Sequence, residues 1–349
     1  MSAPTLPFSQ MSVQDILALA KPDPEYEEIR RFWPPSSIDT LEQDVAISRL
    51  RMFTSLTEEM DELDPLVTET DLYATGRDGN KIRIRIWRMK DGLQQEAEPS
   101  LIVLYHGGGF AMGSPTQMSQ IARVLVKQFH AVVAAPAYRL APEYPFPCGI
   151  NDCWDSLKWI AKNALGELKA HPRTSFIIGG FSAGATISVV LSHLARDEKL
   201  EPPLTGLWNS CGSCRLIDGH KLGDEYDMRL LSRNQEEVRS DPLLSADMQK
   251  LFLQCLKPDT TSELYAPMVW PTEDNHKHLP PTYFQICGLD ASRDESFLFN
   301  ELLEKDGIAT KVHLYPGLPH CFYLTLPDLK ASRQWPMDTI EGFRWLLKV

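Results

Sequence analysis

Residues 176–184 read Phe-Ile-Ile-Gly-Gly-Phe-Ser-Ala-Gly, and this stretch is the strongest indication of the fold. The apolar run at its start predicts a buried strand, and helical spacing follows from Ala183 to Arg196. A strand that turns into a helix through Gly-x-Ser-x-Gly presents the serine hydroxyl at the carboxyl edge of a sheet. Small residues beside Ser182 relieve the crowding of so tight a turn. The stretch therefore predicts an α/β fold with Ser182 as a nucleophile, and an ordinary glycine turn is the alternative.

A second glycine-rich stretch, His106-Gly-Gly-Gly109-Phe110, lies earlier in the chain and follows an apolar run. Backbone N–H groups of such a loop can bind the negative charge that develops on a carbonyl oxygen during acyl transfer. A phosphate loop is the alternative, because Gly108 and Gly113 have the matching spacing. Ser114-Pro115 follows them, however, where a phosphate loop requires lysine and then serine or threonine. We therefore favour acyl transfer over nucleotide binding and expect His106 to orient the loop.

Most of the chain after residue 70 alternates predicted strands and helices. A hairpin with period-two alternation over 71–87 comes first. Further strands are predicted at 101–105, 131–135, 176–178, 281–287 and 311–315. Helices are predicted at 118–128, 153–163, 183–196 and 295–306. This alternation predicts an α/β fold with a mostly parallel central sheet and helices on both faces.

Two stretches depart from this rhythm and divide the chain into four segments. We interpret 1–70 as an N-terminal cap segment, 71–205 and 276–349 as the two parts of the core, and 206–275 as a cap-like insertion. The insertion is too long for a plain connection, and it carries polar helices at 224–232 and 246–256. A helix over 40–55 is predicted in the first segment. The two stretches are expected to pack together over the site.

A serine hydroxyl needs a base to take its proton, and the base needs a third group to fix its tautomer. His320 lies just after the last predicted strand, and Asp290 is the first acidic residue after the strand before it. Both therefore belong to the same sheet edge as Ser182. Asp294 is the alternative acid, although helix capping suits it better. The chain order Ser182, Asp290, His320 is that of the α/β-hydrolase topology.

Composition excludes several classes of partner. The 349 residues carry a net charge of −12, whereas binding to nucleic acid or to anionic lipid needs clustered lysine and arginine. No apolar run approaches the roughly 18–20 residues that span a bilayer, and no secretory signal is evident at the start. We therefore expect a cytoplasmic protein with no nucleic-acid partner and no membrane span.

Cysteine and histidine spacing does not indicate a metal. Seven cysteines at irregular positions are typical of reduced, buried thiols. Cys211-Gly-Ser-Cys214 is a lone CxxC, and His276-Lys-His278 lacks an evident third ligand. We predict no metal and no cofactor.

These motifs together resemble the hormone-sensitive-lipase-like branch of the α/β-hydrolases, which includes the bacterial and fungal arylacetamide-deacetylase-like esterases. The resemblance spans about residue 82 to the C-terminus. It rests on His106-Gly-Gly-Gly109, Tyr138-Arg-Leu-Ala-Pro-Glu143, Pro145-Phe-Pro147, the Ser182 pentapeptide, residues 290–295 and His320. The resemblance implies that Gly108, Gly109 and Ala183 donate the oxyanion-hole N–H groups, and that the N-terminal segment forms a helical cap.

The chain also departs from the usual pattern of that branch. Phe181 replaces an acidic residue before the serine, Asp290-Ala-Ser292 replaces Asp-Pro-Leu, and His320-Cys-Phe322 replaces His-Gly-Phe. No triad member is lost, so the departures concern substrate rather than chemistry. The variant pattern resembles that of fungal members, some of which act on natural products.

The leading hypothesis is a metal-free serine esterase acting on a medium-sized, largely apolar small-molecule ester. An acyltransferase or lactone-forming cyclase with the same triad is the second hypothesis, because the sequence does not separate water from an alcohol as acyl acceptor. A non-catalytic small-molecule receptor on the same fold is the third. The apolar C-terminal segment 340–349 is interpreted as core packing, with a homodimer face as the alternative.

Overall fold

The computed structural model describes residues 7–33, 41–59, 63–92, 98–216 and 220–349. Its centre is a sheet of eight strands in the order β1-β2-β4-β3-β5-β6-β7-β8. The strands are β1 Val67–Thr75, β2 Lys81–Met89, β3 Leu101–Tyr105, β4 Val132–Pro136, β5 Phe176–Phe181, β6 Gly206–Ser210, β7 Thr282–Leu289 and β8 Thr310–Pro319. β2 pairs antiparallel with β1 and β4, and all other neighbours are parallel. The predicted mostly parallel sheet is confirmed.

Helices cover both faces of this sheet. They are α1 Val13–Ala18, α2 Pro24–Arg30, α3 Gln43–Glu59, α4 Ser119–Phe129, α5 Cys148–Asn163, α6 Ala183–Asp197, α7 Asp224–Asp227, α8 Glu236–Arg239, α9 Ala246–Leu256, α10 Arg293–Lys305, α11 Phe322–Thr325 and α12 Lys330–Leu347. Every residue of β3 to β7 is buried, as expected for strands covered on both sides.

The two faces have separate hydrophobic cores. Alternate residues of β3 point to opposite sides, so Leu101 and Val103 pack with α5, α6 and α10, whereas Ile102 and Leu104 pack with α4 and α12. Phe343 of α12 lies against Trp208 with ring centroids 5.4 Å apart. The C-terminal segment therefore contributes to the core through Phe343 and Leu346, which are both buried.

β6 lies in the sheet between β5 and β7, whereas the sequence pattern places Gly206 at the start of the insertion. The strand is short and contains buried polar residues, so its sequence shows neither alternation nor a continuous apolar run. Asn209 accepts a hydrogen bond from the Gly212 N–H, and the Ser210 hydroxyl lies 3.1 Å from that of Tyr323. These contacts pair the Asn209 carbonyl oxygen and the Ser210 hydroxyl, and because Gly206–Ser210 is a strand of the central sheet, the inserted stretch begins after Ser210.

The N-terminal and inserted segments meet above the carboxyl edge of the sheet. Ala46 and Ile47 of α3 share a small hydrophobic cluster with Leu251 and Leu256 of α9 and with Ala111 of the glycine-rich loop. The predicted helix over 246–256 is confirmed as α9, whereas the one predicted over 224–232 is only the short α7. Among the described residues, no helix is both long and apolar enough to cross a membrane.

Candidate active site

Ser182 occupies the sharp turn between β5 and α6. Its φ of 54° and ψ of −125° are unfavourable for a residue with a side chain. A Cβ on Gly180 or Gly184 would lie 2.2 or 1.9 Å from the carbonyl oxygen of Tyr105. Only glycine fits at these two positions, and their close packing on β3 holds the serine in its strained conformation.

The structure brings Ser182, His320 and Asp290 into one hydrogen-bonded line. Nε2 of His320 lies 2.8 Å from Oγ of Ser182, and Nδ1 of His320 lies 2.7 Å from Oδ2 of Asp290. Asp290 directly follows β7, His320 directly follows β8, and the other oxygen of Asp290 accepts the Ser292 N–H. The arrangement can move a proton from the serine hydroxyl to an imidazole whose orientation is held by a carboxylate.

Asp294, the alternative acid, is hydrogen-bonded to residues other than His320. One of its oxygens accepts the N–H groups of Leu231 and Ser232 at 2.7 and 2.6 Å, and the other pairs with Arg293. This carboxylate therefore fastens the inserted segment to α10.

Burial and the ion pair with Asp290 shift the pKa of His320 in opposite directions. Burial disfavours the charged imidazolium, but the charge of Asp290 and its hydrogen bond outweigh burial and raise the pKa of His320 to about 9. The Asp290 carboxylate thus stabilises the imidazolium that forms when His320 accepts a proton.

Three backbone N–H groups beside Ser182 are free to bind an anion. Gly108 and Gly109 have φ values of 106° and 58°, in the region that favours glycine. Within the described part of the chain, the N–H groups of Gly108, Gly109 and Ala183 donate to no protein acceptor. Ala183 also begins α6, whose N-terminus favours negative charge. These are the N–H groups that the family resemblance implies for an oxyanion hole.

His106 stabilises the glycine-rich loop through contacts with Tyr138 and with the Gly107 carbonyl. Its ring stacks on Tyr138 at a centroid distance of 4.2 Å, and its Nδ1 lies 2.8 Å from the Gly107 carbonyl oxygen. The Tyr138 hydroxyl donates to the His106 carbonyl at 2.9 Å. Burial lowers the pKa of His106 to about 4, so this ring is neutral at pH 7. The role expected for His106, orienting the loop, agrees with these contacts.

A pocket of about 800 Å³, counted out to its open mouth, lies over Ser182. Its walls are largely apolar and come from the core and from α9. The apolar side chains are Phe110, Phe146, Ile150, Leu244, Phe252, Leu253, Leu256 and Leu264. A Cβ on Gly109 would lie 2.4 Å from the Phe252 ring, so glycine here lets α9 approach the loop closely. The pocket is therefore a cleft between the core and α9.

One wall of the pocket is polar, and no sequence pattern predicts it. Ser213, Arg215, Arg233 and Gln249 contribute to it. Nε of Arg233 donates to Glu295 at 2.7 Å, and its Nη2 donates to Ser213 at 2.9 Å. Arg233 lies in a stretch without strand or helix periodicity, so no local signal pairs it with Glu295.

The His276-Lys-His278 pattern does not form a ligand pair. Nδ1 of His276 lies 3.0 Å from Nε2 of His193, and its Nε2 lies 3.0 Å from the Met268 carbonyl oxygen. The rings of His193 and His276 are both buried in the core. His276 thus serves packing and hydrogen bonding within the protein.

Comparison with known proteins agrees with this geometry. Residues 102–324 match the family model described as the α/β hydrolase fold. The chain is also 35% identical to an AB hydrolase superfamily protein of Schizosaccharomyces pombe, over 94% of each chain. The chain belongs to the α/β-hydrolase family.

Two further similarities refine the assignment. The hydrolase is 27% identical to a versiconal hemiacetal acetate esterase of Dothistroma septosporum, over 85% of this chain and 87% of the esterase. A solved structure of a vibralactone cyclase superposes with a TM-score of 0.81 at 27% identity, over 95% of this chain and 96% of the cyclase. The hydrolase is a carboxylic-ester hydrolase of the hormone-sensitive-lipase-like branch.

Proposed function

We propose that the hydrolase cleaves esters through an acyl-enzyme on Ser182, with His320 as general base and Asp290 as the carboxylate that orients it. The single observation that carries the proposal is the pair of hydrogen bonds at His320, whose Nε2 lies 2.8 Å from Oγ of Ser182 and whose Nδ1 lies 2.7 Å from Oδ2 of Asp290. His320 accepts the serine proton as Oγ attacks the ester carbonyl, and it then gives this proton to the leaving alcohol. In the second half, a water molecule attacks the acyl-enzyme, transfers a proton to His320 and releases the acid.

The N–H groups of Gly108, Gly109 and Ala183 are proposed to bind the oxyanion in both halves. Their lack of other acceptors within the described residues supports this role, since no existing hydrogen bond has to break before they bind the oxyanion. Removing one such donor typically slows turnover by about 10²–10³.

The proposed substrate is a medium-sized, largely apolar small-molecule ester or lactone, of natural-product type. The volume and apolar walls of the pocket support the size and polarity. The names of the Dothistroma esterase and of the cyclase support the chemical type. We further propose that the N-terminal and inserted segments act as a cap that excludes bulk water, and that the protein works in the cytoplasm. A homodimer remains an additional proposal.

A lactone-forming cyclase or an acyltransferase is the second candidate, favoured by the structural likeness to vibralactone cyclase. In that case a hydroxyl of the substrate, or of a second molecule, would replace water in attacking the acyl-enzyme. Analysis of products by mass spectrometry distinguishes the two candidates: free acid alone supports the esterase, and a lactone or new ester supports the alternative.

The proposal is tested by hydrolysis of p-nitrophenyl esters of increasing acyl length, with wild type beside Ser182→Ala. We expect the variant to lose at least about 10³ of kcat, because the nucleophile is gone. Fluorophosphonate treatment followed by peptide mass spectrometry should place a single adduct on Ser182. Substantial turnover by a folded Ser182→Ala protein, checked by circular dichroism, would refute the proposal.

A further inference from the structure

Three cysteines that are distant in sequence meet directly behind the proposed triad. Cys211 follows β6, Cys287 lies in β7, and Cys321 is the residue after His320. The sulfur atoms of Cys211 and Cys287 are 3.3 Å apart, which is hydrogen-bond distance for two thiols. Sγ of Cys211, Sγ of Cys321 and a ring nitrogen of His320 all lie within 4.8 Å of one another. We refer to these three thiols as the sulfur cluster.

The sulfur cluster is buried, and one of its members borders the pocket over Ser182. Cys211, Cys287 and Cys321 are only 2%, 1% and 6% exposed, which excludes large reagents. Cys211 nevertheless lines the pocket over Ser182. A small molecule that enters the substrate pocket can therefore reach the Cys211 sulfur, whereas Cys287 lies behind it.

Two of the three cysteines occupy strained backbone positions. Cys211 has a φ of 55° and Cys321 a φ of 49°, in the left-handed region that is unfavourable for a residue with a side chain. Glycine would take either conformation without this cost. Strain of this kind concentrates at functional sites, where the side chain is needed in that place. Here both strained residues place a thiol in the same cluster.

The three thiols also differ in acidity. Hydrogen bonds from Cys287 and Cys321, together with the nearby His320 charge, hold the pKa of the Cys211 thiol well below its usual range despite burial. Burial raises the pKa of the Cys287 and Cys321 thiols. Cys211 is thus the nucleophilic sulfur, and Cys287, whose sulfur lies 3.3 Å away, is the thiol placed to resolve an oxidised Cys211.

We propose that Cys211 and Cys287 form an oxidation site at which a small hydroperoxide converts the two thiols to a disulfide, and that this reaction changes the pH range in which the neighbouring His320 works. Cys214, the other cysteine of the Cys211-Gly-Ser-Cys214 motif, is not part of the sulfur cluster and takes no part in this reaction.

The reaction balances with a hydroperoxide as the only added reagent. The Cys211 thiolate attacks one peroxide oxygen, the O–O bond breaks, and sulfenic acid forms while the other oxygen leaves and takes up a proton as an alcohol or water. The Cys287 sulfur then attacks the sulfenic sulfur, the S–S bond forms, and the hydroxyl leaves as water with the Cys287 proton. Two thiols lose two electrons in all, and the peroxide gains them.

The expected effect on His320 follows from charge. Asp290, Cys211 and Asp241 favour the charged form of His320, so a Cys211 thiolate stabilises the imidazolium. The Cys321 thiol also lies within 4.8 Å of a ring nitrogen of His320. Tyr323 also faces the sulfur cluster, through its hydroxyl contact with Cys321 at 3.8 Å. Oxidation removes the thiolate charge while it leaves Asp290 in place. The acid limb of the kcat/KM profile should therefore move to lower pH, and dithiothreitol should restore it.

The test treats the full-length wild-type protein with hydrogen peroxide, blocks the remaining thiols with N-ethylmaleimide under denaturing conditions, and maps peptides by mass spectrometry. We expect the free thiols to fall from seven to five, with a crosslinked peptide that joins Cys211 to Cys287. Cys148 is the half-buried thiol and serves as internal reference, and Cys148→Ser is the matched control that should still form the crosslink. In Cys287→Ser the sulfenic acid on Cys211 should persist and react with dimedone.

Oxidation of Cys148 before Cys211, or an oxidised Cys211 without the crosslink to Cys287, would overturn the proposal. An unchanged kcat/KM profile against pH in the crosslinked protein would overturn the proposed effect of the disulfide on His320. The wild-type mapping does not depend on folding of any variant. It also does not depend on turnover, so failure of the proposed ester hydrolysis would be seen separately, as wild type without Ser182-dependent activity.

Discussion

At the scale of single residues, the charge state of His320 sets the working pH. The proposed base accepts the Ser182 proton only when its ring is neutral, and its pKa is raised to about 9 by Asp290. The free enzyme should therefore gain kcat/KM as pH rises from neutrality, with the midpoint of the acid limb above the ordinary histidine pKa of about 6.5. Initial rates at subsaturating p-nitrophenyl ester, measured from pH 5.5 to 10, test this.

Asp290→Asn provides the matched variant for the same measurement. It removes the ion pair, so we expect the acid limb to move to lower pH and kcat to fall by about three to four orders of magnitude. Asp294→Asn is the control, because that carboxylate holds the Leu231 and Ser232 amides rather than His320. A shifted acid limb in Asp294→Asn with none in Asp290→Asn would reverse the assignment of the acid.

Gly184 gives a second prediction at the residue scale. A Cβ there would overlap the carbonyl oxygen of Tyr105 at 1.9 Å, and a backbone atom of a central strand cannot move aside cheaply. Gly184→Ala should therefore lower the free energy of unfolding by about 3 kcal/mol or more. Gly166→Ala is the control, because a methyl group at that position would meet no other atom within 4 Å, and we expect no loss. Urea unfolding followed by circular dichroism measures both, and equal stabilities of the two variants would contradict the prediction.

At the scale of secondary-structure elements, Arg51 attaches α3 to the core. Its Nε donates to the Ala111 carbonyl at 2.8 Å, its Nη2 to the Ala141 carbonyl at 2.7 Å, and its Nη1 lies 2.7 Å from Glu143. Arg51→Met leaves both carbonyl oxygens without this donor, so local opening of α3 should become easier by about 1–3 kcal/mol. Amide hydrogen exchange in the residues of α3 should therefore be faster in Arg51→Met than in wild type.

The ion pair itself should contribute little to this attachment. Nη2 of Arg51 also donates to Glu143 at 2.8 Å, but the Glu143 side chain is 54% exposed, and exposed ion pairs contribute about 0–1 kcal/mol. Glu143→Gln is therefore the control, and we expect it to leave exchange in α3 nearly unchanged. If Glu143→Gln accelerates exchange as much as Arg51→Met does, the two carbonyl contacts are not what holds the helix.

At the scale of the whole molecule, three buried histidines make the protein sensitive to acid. Burial lowers the pKa of His106 and His276 to about 4 and that of His193 well below its usual value. Each is neutral in the folded state and gains a proton on unfolding below pH 6.5, so its contribution to stability is present above pH 6.5 and is lost as pH falls toward 4. Burial raises the pKa of Asp241 to about 6, which acts in the opposite direction over the same range.

These three histidines and Asp241 together predict a net uptake of about two protons on unfolding between pH 6 and 4.5, which corresponds to a loss of up to about 3 kcal/mol per pH unit. His313, whose pKa burial also lowers, acts in the same direction as the three buried histidines. His320 opposes this uptake only at the upper end of the window, because it is protonated throughout in the fold and its unfolded form is fully protonated only below about pH 5.5. Urea unfolding at pH 7, 6 and 5 measures the slope, and His276→Gln should reduce it by about one proton. Stability that stays level or rises on acidification would show that these histidines are not neutral in the fold.

Much of the fold could be predicted because its signals are local. β3 and α9 begin and end at the predicted residues, since an apolar run or a helical period is complete within each element. The turn at Ser182 is equally local, because its glycines are required by sterics within a few residues. His320 and Asp290 are identifiable by their position after predicted strands, and the structure brings them within hydrogen-bond distance of their partners.

The α/β alternation, the strained serine turn and the order of the residues at the sheet edge follow from the amino-acid sequence alone, because neighbours along the chain specify periodicity and backbone strain. Three other features depend on tertiary contacts: Gly206–Ser210 is a central strand, Arg233 meets Glu295, and Cys211 meets Cys287 rather than Cys214. The two side-chain contacts join residues 62 and 76 positions apart. Their free energy comes from burial and packing of distant segments, which no local pattern records.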